Sequence, residues 1–288
     1  MQELISPKQV ARAIGVSEST LKRWCDRGIL KMIRTAGGHR KLPIKGVLEF
    51  LRESGHTLVE PELLGLPATV GQGAGTVRRA KERLKEALIQ GDETIARQII
   101  FDLYLAKNRI SEICDNVIAS VFHEIGDLWD CGEVEVYEER LSCGICLRIL
   151  NELRNSIPTV PPKGPIAIGG TLDGDPYELQ TTMVELVLRD NRWNATSLGN
   201  SLPFSTLEVA IKKMKPQLLW LSVSFVRNQE AFLEETKKLF RTATENNTAF
   251  VVGGQALTDQ LRKKMNYNSF CDTLQHLESF AATIHHNA

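Results

Sequence analysis

The spacing of apolar residues changes character three times along the chain. Val10, Ala11, Ala13 and Ile14 form one helical face, opened by Ser6-Pro7-Lys8-Gln9 and closed by Gly15. Ser6 suits a cap, Pro7 the first helical position and Gln9 the far side of a capping box, while Gly15 suits a left-handed stop. Ser17 caps a second predicted helix over 18–27 with Leu21 and Trp24 turned inward. Two short helices across a tight turn make a helix-turn-helix pattern. Gly28-Ile29-Leu30 then leads into Arg34-Thr35-Ala36-Gly37-Gly38-His39-Arg40-Lys41. Paired glycines between basic residues predict a hairpin whose tip approaches phosphates closely. Pro43 starts a further helix over 44–53, with Val47, Leu48 and Leu51 inward.

Residues 55–75 hold two prolines and five glycines with no steady period, which reads as a flexible tether. From Thr76 to about Ser156 the helical period returns. It predicts helices over 77–90, 93–107, 110–129 and 135–155, broken at Gly91-Asp92, Asn108-Arg109 and Cys131-Gly132, and hence a four-helix bundle. Beyond residue 165 the pattern becomes strand alternating with helix. Strands are expected at 166–170, 195–198, 218–224, 250–254 and 269–272, with helices at 176–191, 204–215, 228–246, 256–266 and 274–285. That alternation implies a doubly wound parallel sheet. The expected organisation is a winged helix-turn-helix over 1–55, a linker over 56–75, a four-helix bundle over 76–156 and an α/β Rossmann-like domain over 163–288.

Charge sharpens this division. The net charge is zero, yet residues 1–57 carry 11 Lys/Arg against 5 Asp/Glu and the rest of the chain 24 against 30. A basic module ahead of an acidic body points to a polyanion met by the front end alone. The six thinly scattered cysteines suggest reduced thiols in a cytoplasm. No run of eighteen apolar residues suggests a membrane span, and the first ten residues lack a secretory pattern.

In a helix-turn-helix the second helix enters the major groove, so Ser19, Thr20, Lys22 and Arg23 are the candidates for base edges. Arg34, His39, Arg40 and Lys41 of the hairpin are candidates for the phosphate backbone. The order helix, turn, helix, basic hairpin, helix resembles the winged reader of the MerR family, and RTAGGHRK resembles its wing. That family pairs its readers on repeated sites, so the resemblance implies double-stranded DNA and a homo-oligomer, dimer or tetramer. A regulatory protein is a further candidate partner.

In the sheet domain, ligands are expected where strand order reverses, at loops 171–177, 199–203, 224–228 and 253–256. Reader, bundle and flavodoxin-like, cobalamin-binding-type domain in that order resemble the light-sensing repressors of the CarH/LitR family over about the full chain. The resemblance implies a cobalamin held from below by the sheet domain and covered by the bundle. The same resemblance implies that light breaks the cobalt–carbon bond and dissociates a DNA-bound tetramer. Trp129 followed after nine residues by Glu139 matches the bundle motif. Ser222-Val223-Ser224 stands at the strand-end serine motif, and Gly253-Gly254 at the glycine pair beside the cofactor's nucleotide tail.

Two departures outweigh these matches. The bundle motif's His is Arg140, and the lower-ligand motif reads Asp175-Pro176-Tyr177-Glu178-Leu179-Gln180, with Tyr177 for His and Gln180 for Gly. Arginine has no free lone pair for a metal, and a phenol must first lose its proton, whereas imidazole offers a neutral donor. No metal ligand set is therefore expected, and the residues themselves imply no cofactor; cobalamin enters by resemblance alone, and could bind with its own base through Ser222, Gly253 and Gly254.

Other signals are weaker. Cys143-x-x-Cys146 lacks a second pair and reads as buried thiols. Trp129 also reads as core, Asp175 and Tyr177 as a helix cap, and His285-His286 as a tail. Gly169-Gly170 is half a dinucleotide fingerprint. No nucleophile, base and orienter stand together, so the chain is not expected to be an enzyme. The expectation is a DNA-binding transcriptional regulator whose rear module is degenerate, controlling oligomerisation or answering another signal. The alternatives are a light-responsive cobalamin-binding repressor and a corrinoid carrier or methyltransferase subunit, the last disfavoured by the reader.

Overall fold

Ser6 closes the expected box. Its hydroxyl accepts from Gln9 N at 3.3 Å while Gln9 Oε1 accepts from Ser6 N at 3.1 Å, starting α1 (Pro7–Ile14). Gly15 stops it at φ +73°, packed so closely that a β-carbon would lie 2.7 Å from Val59 Cγ2. Ser17 caps α2 (Glu18–Asp26) through Thr20 N. Strands β2 (Ile33–Arg34) and β3 (Arg40–Pro43) form the hairpin, with β1 (Leu4–Ile5) on the other edge of β3 and α3 (Ile44–Ser54) following. Leu21, Leu30, Leu42, Val47, Leu48 and Leu51 fill the reader's core. Trp24 is half-buried against Phe50 and His56 rather than inside it.

The computed structural model describes residues 4–35, 37–67, 70, 77–158, 160 and 164–285. These fall into two compact units, Met1–Pro158 and Thr159–Ala288. Reader and bundle thus share one unit. The expected flexible tether is corrected over its described part. Leu58, Leu64, Leu66 and Val70 are buried, a 3-10 turn spans Pro61–Leu64, and Arg97 donates to Gly65 O at 2.7 Å. Residues 68, 69 and 71–76 of that stretch lie outside the described residues. Glycine and proline set its irregular backbone, but scattered leucines still find apolar cover, and burial outweighs the lack of period.

The bundle follows the expected breaks: α4 (Val77–Ile89), α5 (Glu93–Leu105), α6 (Ile110–Ile113), α7 (Ser120–Asp130) and α8 (Val136–Ser156). The third rod contains a π-helical segment, Cys114–Ala119, between α6 and α7, which no residue pattern had announced. Glu124 on α7 pairs with Lys81 and Lys85 on α4, and Glu152 on α8 with Arg97 on α5.

In the second unit β4 (Ile166–Gly170), β5 (Asn194–Ser197), β6 (Leu218–Ser222), β7 (Ala249–Gly253) and β8 (Ser269–Phe270) form one parallel sheet in the order β5-β4-β6-β7-β8. Successive residues of β4, β6 and β7 point to opposite faces. Ile168, Leu219, Leu221, Phe250 and Val252 meet α10 (Phe204–Met214) and α11 (Gln229–Glu245). Ala167, Leu218, Trp220 and Val251 meet α9 (Glu178–Asp190) and α13 (Leu274–His285). The expected helix over 256–266 shrinks to α12 (Asp259–Arg262). Its one buried residue, Leu261, gives it no stripe to extend. No helix among the described residues is long and apolar enough to cross a membrane.

Candidate functional site

The reader presents its cations outward. Lys22 and Arg23 are exposed on α2. Ser19 and Thr20 are drawn into the cap, with Ser17 Oγ 2.8 Å from Ser19 Oγ and donating to Thr20 Oγ1 at 2.9 Å. These two hydroxyls therefore have less freedom to read a base than the two cations beside them. In the wing, Gly38 N donates to Thr35 O and Thr35 N to His39 O, closing the turn at φ +79° for Gly38. Ala36 lies outside the described residues. Arg34 stands directly opposite Arg40, and Ile33 opposite Lys41. Like charges facing across a ladder repel. The nearby carboxylate of Asp26 comes only within 3.9 Å of Arg40 Nη1. With His39 exposed at the tip, the wing is a concentrated positive edge that a phosphate backbone would relieve.

The bundle's candidates are less committed to a ligand. Trp129 ends α7 at 49% exposure, so the core reading for it is corrected. Glu139 accepts from Cys143 Sγ at 3.4 Å and pairs with Arg140 at 3.4 Å. Burial, then the Glu139 carboxylate, pushes the Cys143 thiol up to about 12, and burial raises that of the fully enclosed Cys146. Both are inert at neutral pH. Among the described residues no cluster of His, Cys, Asp or Glu is arranged to hold a metal.

In the second unit strand order reverses between β4 and β6, and the loops there are tied to each other. Asp175, 1% exposed, accepts from Ser224 N at 2.6 Å and Phe225 N at 3.1 Å through Oδ2, and from Tyr177 N at 3.2 Å through Oδ1. Its carboxylate thus staples the β4–α9 loop to the β6–α11 loop, beyond its expected role as a helix cap. Burial raises its pKa, and the three N–H groups hold it back only in part. Thr171 Oγ1 donates to Asp175 O at 2.6 Å and accepts from Ser201 N at 3.1 Å, binding in the β5–α10 loop as well.

The glycine pair is consumed by the fold. A β-carbon on Gly254, at φ +122°, would overlap the Val223 backbone, and one on Gly253 would lie 2.8 Å from Cys271 O. Ser222 is buried at the end of β6 opposite Gly253. Beneath the crevice the indole of Trp220 lies against Gly169, where a β-carbon would overlap it, and donates to Thr181 Oγ1 at 2.9 Å. Among the described residues Gln180 Oε1 is buried without a hydrogen-bond partner. Trp220 and Thr181 escape sequence reasoning, although a tryptophan inside the run Leu-Leu-Trp-Leu-Ser is an available signal. The second unit's histidines are His276, His285 and His286, far along the chain from these loops; His286 and the side chain of His285 lie outside the described residues.

Comparison with known proteins agrees with both halves. Residues 4–55 match the helix-turn-helix domain family, and residues 80–154 the B12 binding domain family. The chain is similar to the HTH-type transcriptional repressor CarA of Myxococcus xanthus, 23% identical over 265 residues covering 88% of each chain. It is also similar to the HTH-type transcriptional repressor CarH of the same organism, 26% identical with 85% of this chain and 87% of the relative covered. The trimethylamine corrinoid protein of Methanosarcina barkeri is 22% identical over 64% of this chain and 86% of its own length. The monomethylamine corrinoid protein of Methanosarcina barkeri superposes with a TM-score of 0.60 at 13% identity, over 73% of this chain and 100% of that one. That likeness supports the fold of bundle and sheet domain.

Proposed function

We propose that this chain is a sequence-specific DNA-binding transcriptional regulator with a B12-binding-type module, whose response does not run through a cobalt–imidazole bond. The observation that carries the first part is the exposed cationic α2 and wing on a helix-turn-helix frame. It is supported by similarity to two repressors across most of the chain. Lys22 and Arg23 are positioned to read base edges, Ser19 and Thr20 to fix the start of α2 on the groove, and Arg34, His39, Arg40 and Lys41 to hold phosphates. A homo-oligomer supplies paired readers. Selection of duplexes from a random pool by the purified protein should enrich a repeated motif; recovery of no motif would overturn sequence-specific reading.

The switch-point residues do not fit a corrinoid gripped from below. In the lower-ligand motif that the resemblance implies, Tyr177 replaces the imidazole and the bulkier Gln180, whose amide oxygen is buried, replaces glycine, and Trp220 packs against Gly169 and Thr181 nearby. Gly253 and Gly254 serve close backbone packing. The module therefore sets oligomeric state or answers another signal. The match to the B12 binding domain family favours a second reading, a light-responsive cobalamin-binding repressor. The protein incubated in the dark with adenosylcobalamin and desalted should emerge colourless. A red complex whose spectrum changes on illumination would replace the first reading with the second.

A further inference from the structure

The reader is held to the bundle at more than one station. Arg52, in the last turn of α3, lies with its guanidinium 4.3 Å from the centroid of the Tyr104 ring and donates to Tyr104 O at 3.1 Å. Lys107, in a left-handed backbone conformation just past α5, reaches back to Glu53 O at 3.1 Å. It thereby satisfies a carbonyl that the end of α3 leaves open. On the other side of the reader Ala13 O accepts from Val59 N and Glu60 N, and Arg12 pairs with Glu60 at 2.6 Å. The connector so fixed is in turn tied to α5 through Arg97 and Gly65.

Tyr104 links this arrangement to the end of α8, against which α3 also packs. Its ring is buried, and its hydroxyl donates to Ser156 O at 3.5 Å. Ser156 is the last residue of α8, after which the chain leaves the first unit. One side chain thus touches the root of the reader and the end of the helix that precedes the second unit. The positions expected to meet DNA, Lys22, Arg23, Arg34 and His39, remain exposed in this arrangement.

We propose that Arg52 and Tyr104 are positioning residues that hold reader and bundle as one rigid body, so that the orientation of the recognition helix is set by the bundle and is sensitive to the end of α8. A guanidinium over an aromatic face with a carbonyl beside it has a narrow range of good geometries. A shift of the α8 terminus that moves Tyr104 therefore loads the α3 contact directly, through one contiguous chain of packed and hydrogen-bonded groups. The inference uses the reader's DNA-binding role only for its consequence, and is independent of what the second unit binds.

The test is backbone nitrogen relaxation on the deuterated full-length protein, comparing amides of α1 and α2 with amides of α5. In the wild type the two sets should share one rotational correlation time. In Arg52→Ala the reader's value should fall by about twofold or more while its chemical-shift dispersion persists. Shift changes should extend from Tyr104 to Ser156 and Ile157. Arg52→Met, which keeps an apolar stem over the ring, should give an intermediate value and serves if the alanine variant unfolds. Affinity of Arg52→Ala for a non-specific duplex should stay within about twofold of wild type, since no phosphate-binding cation is removed. A wild-type reader tumbling faster than α5, or variants whose reader tumbles as the wild type does, would overturn the proposal.

Discussion

Two regions of this chain carry residues of functional type, and they use them in opposite ways. On α2 and the wing Lys22, Arg23 and Arg34 stand in solvent, and Arg34 faces the half-buried Arg40 across the ladder, where Asp26 at 3.9 Å offers only a long ion pair. At the switch point of the sheet the Asp175 carboxylate, the Thr171 hydroxyl and Gly254 are engaged with surrounding backbone: Asp175 with Ser224, Phe225 and Tyr177, Thr171 with Asp175 and Ser201, Gly254 against Val223. A polar group already satisfied within the fold has little left to offer a ligand. Charge held with little compensation, at some cost to the free protein, points outward to a partner. The lesson is that residue type nominates a site, and the partners those residues already have decide whether it is free to act.

The contrast is breakable. Asp175→Ala should destabilise the second unit by about 3 kcal/mol, because three enclosed N–H groups lose their acceptor. Calorimetry of the full chain would read this, and a loss under about 1 kcal/mol would mean the crevice is as uncommitted as the wing. Arg23→Ala should leave stability within about 0.5 kcal/mol while costing about 2 kcal/mol in discrimination between the selected duplex and a mismatched one, measured by competition gel shift. Arg40→Ala should weaken binding to all sequences alike and reduce the salt slope by about 1. Relief of the Arg34 repulsion should spare the free protein's stability, as thermal melts of the two proteins would register.

The smallest effect concerns pH, and the two units should differ in sign. Glu93, Glu112 and Glu124 are held below the usual carboxylate range by hydrogen bonds from Arg148, Arg109, and Lys81 with Lys85 respectively. Their stabilisation of the first unit is present above the unfolded value and is lost as pH falls through the lower folded one. Asp175 is raised by burial, so its contribution is present below the unfolded value and lost as pH rises through the folded one. Urea unfolding between about pH 3 and 7 should show the first unit weakening on acidification. In the second unit a weak opposite trend should vanish in Asp175→Asn.

Local chemistry made much of the fold legible. Ser6, Gln9 and Gly15 announced both ends of α1, paired glycines and cations announced the wing, and the switch from helical to alternating period located the sheet. What stayed hidden was set by distant partners. The leucines at 58, 64 and 66 sit in a stretch whose glycines and prolines suggest freedom, and only the bundle and reader reveal that they are covered. Asp175 read as a helix cap because its main donors, Ser224 and Phe225, lie some fifty residues on. Trp220 fell within a run of apolar residues, where its role against Gly169 and Thr181 depends on which face of the sheet α9 covers.

The π-helical segment at Cys114–Ala119 has a consequence of its own. Such a stretch accommodates one residue more than an α-helix needs over the same length, so a deletion there can be healed by reverting to ordinary winding. Reversion to ordinary winding with no residue removed would instead turn every later residue of the rod by about 100°, swinging Val121 and Ile125 away from the interior they now fill and aiming the indole of Trp129 elsewhere. Those six residues act as a phase adjuster between the two ends of a single rod, and their count is as much a part of the design as their identity.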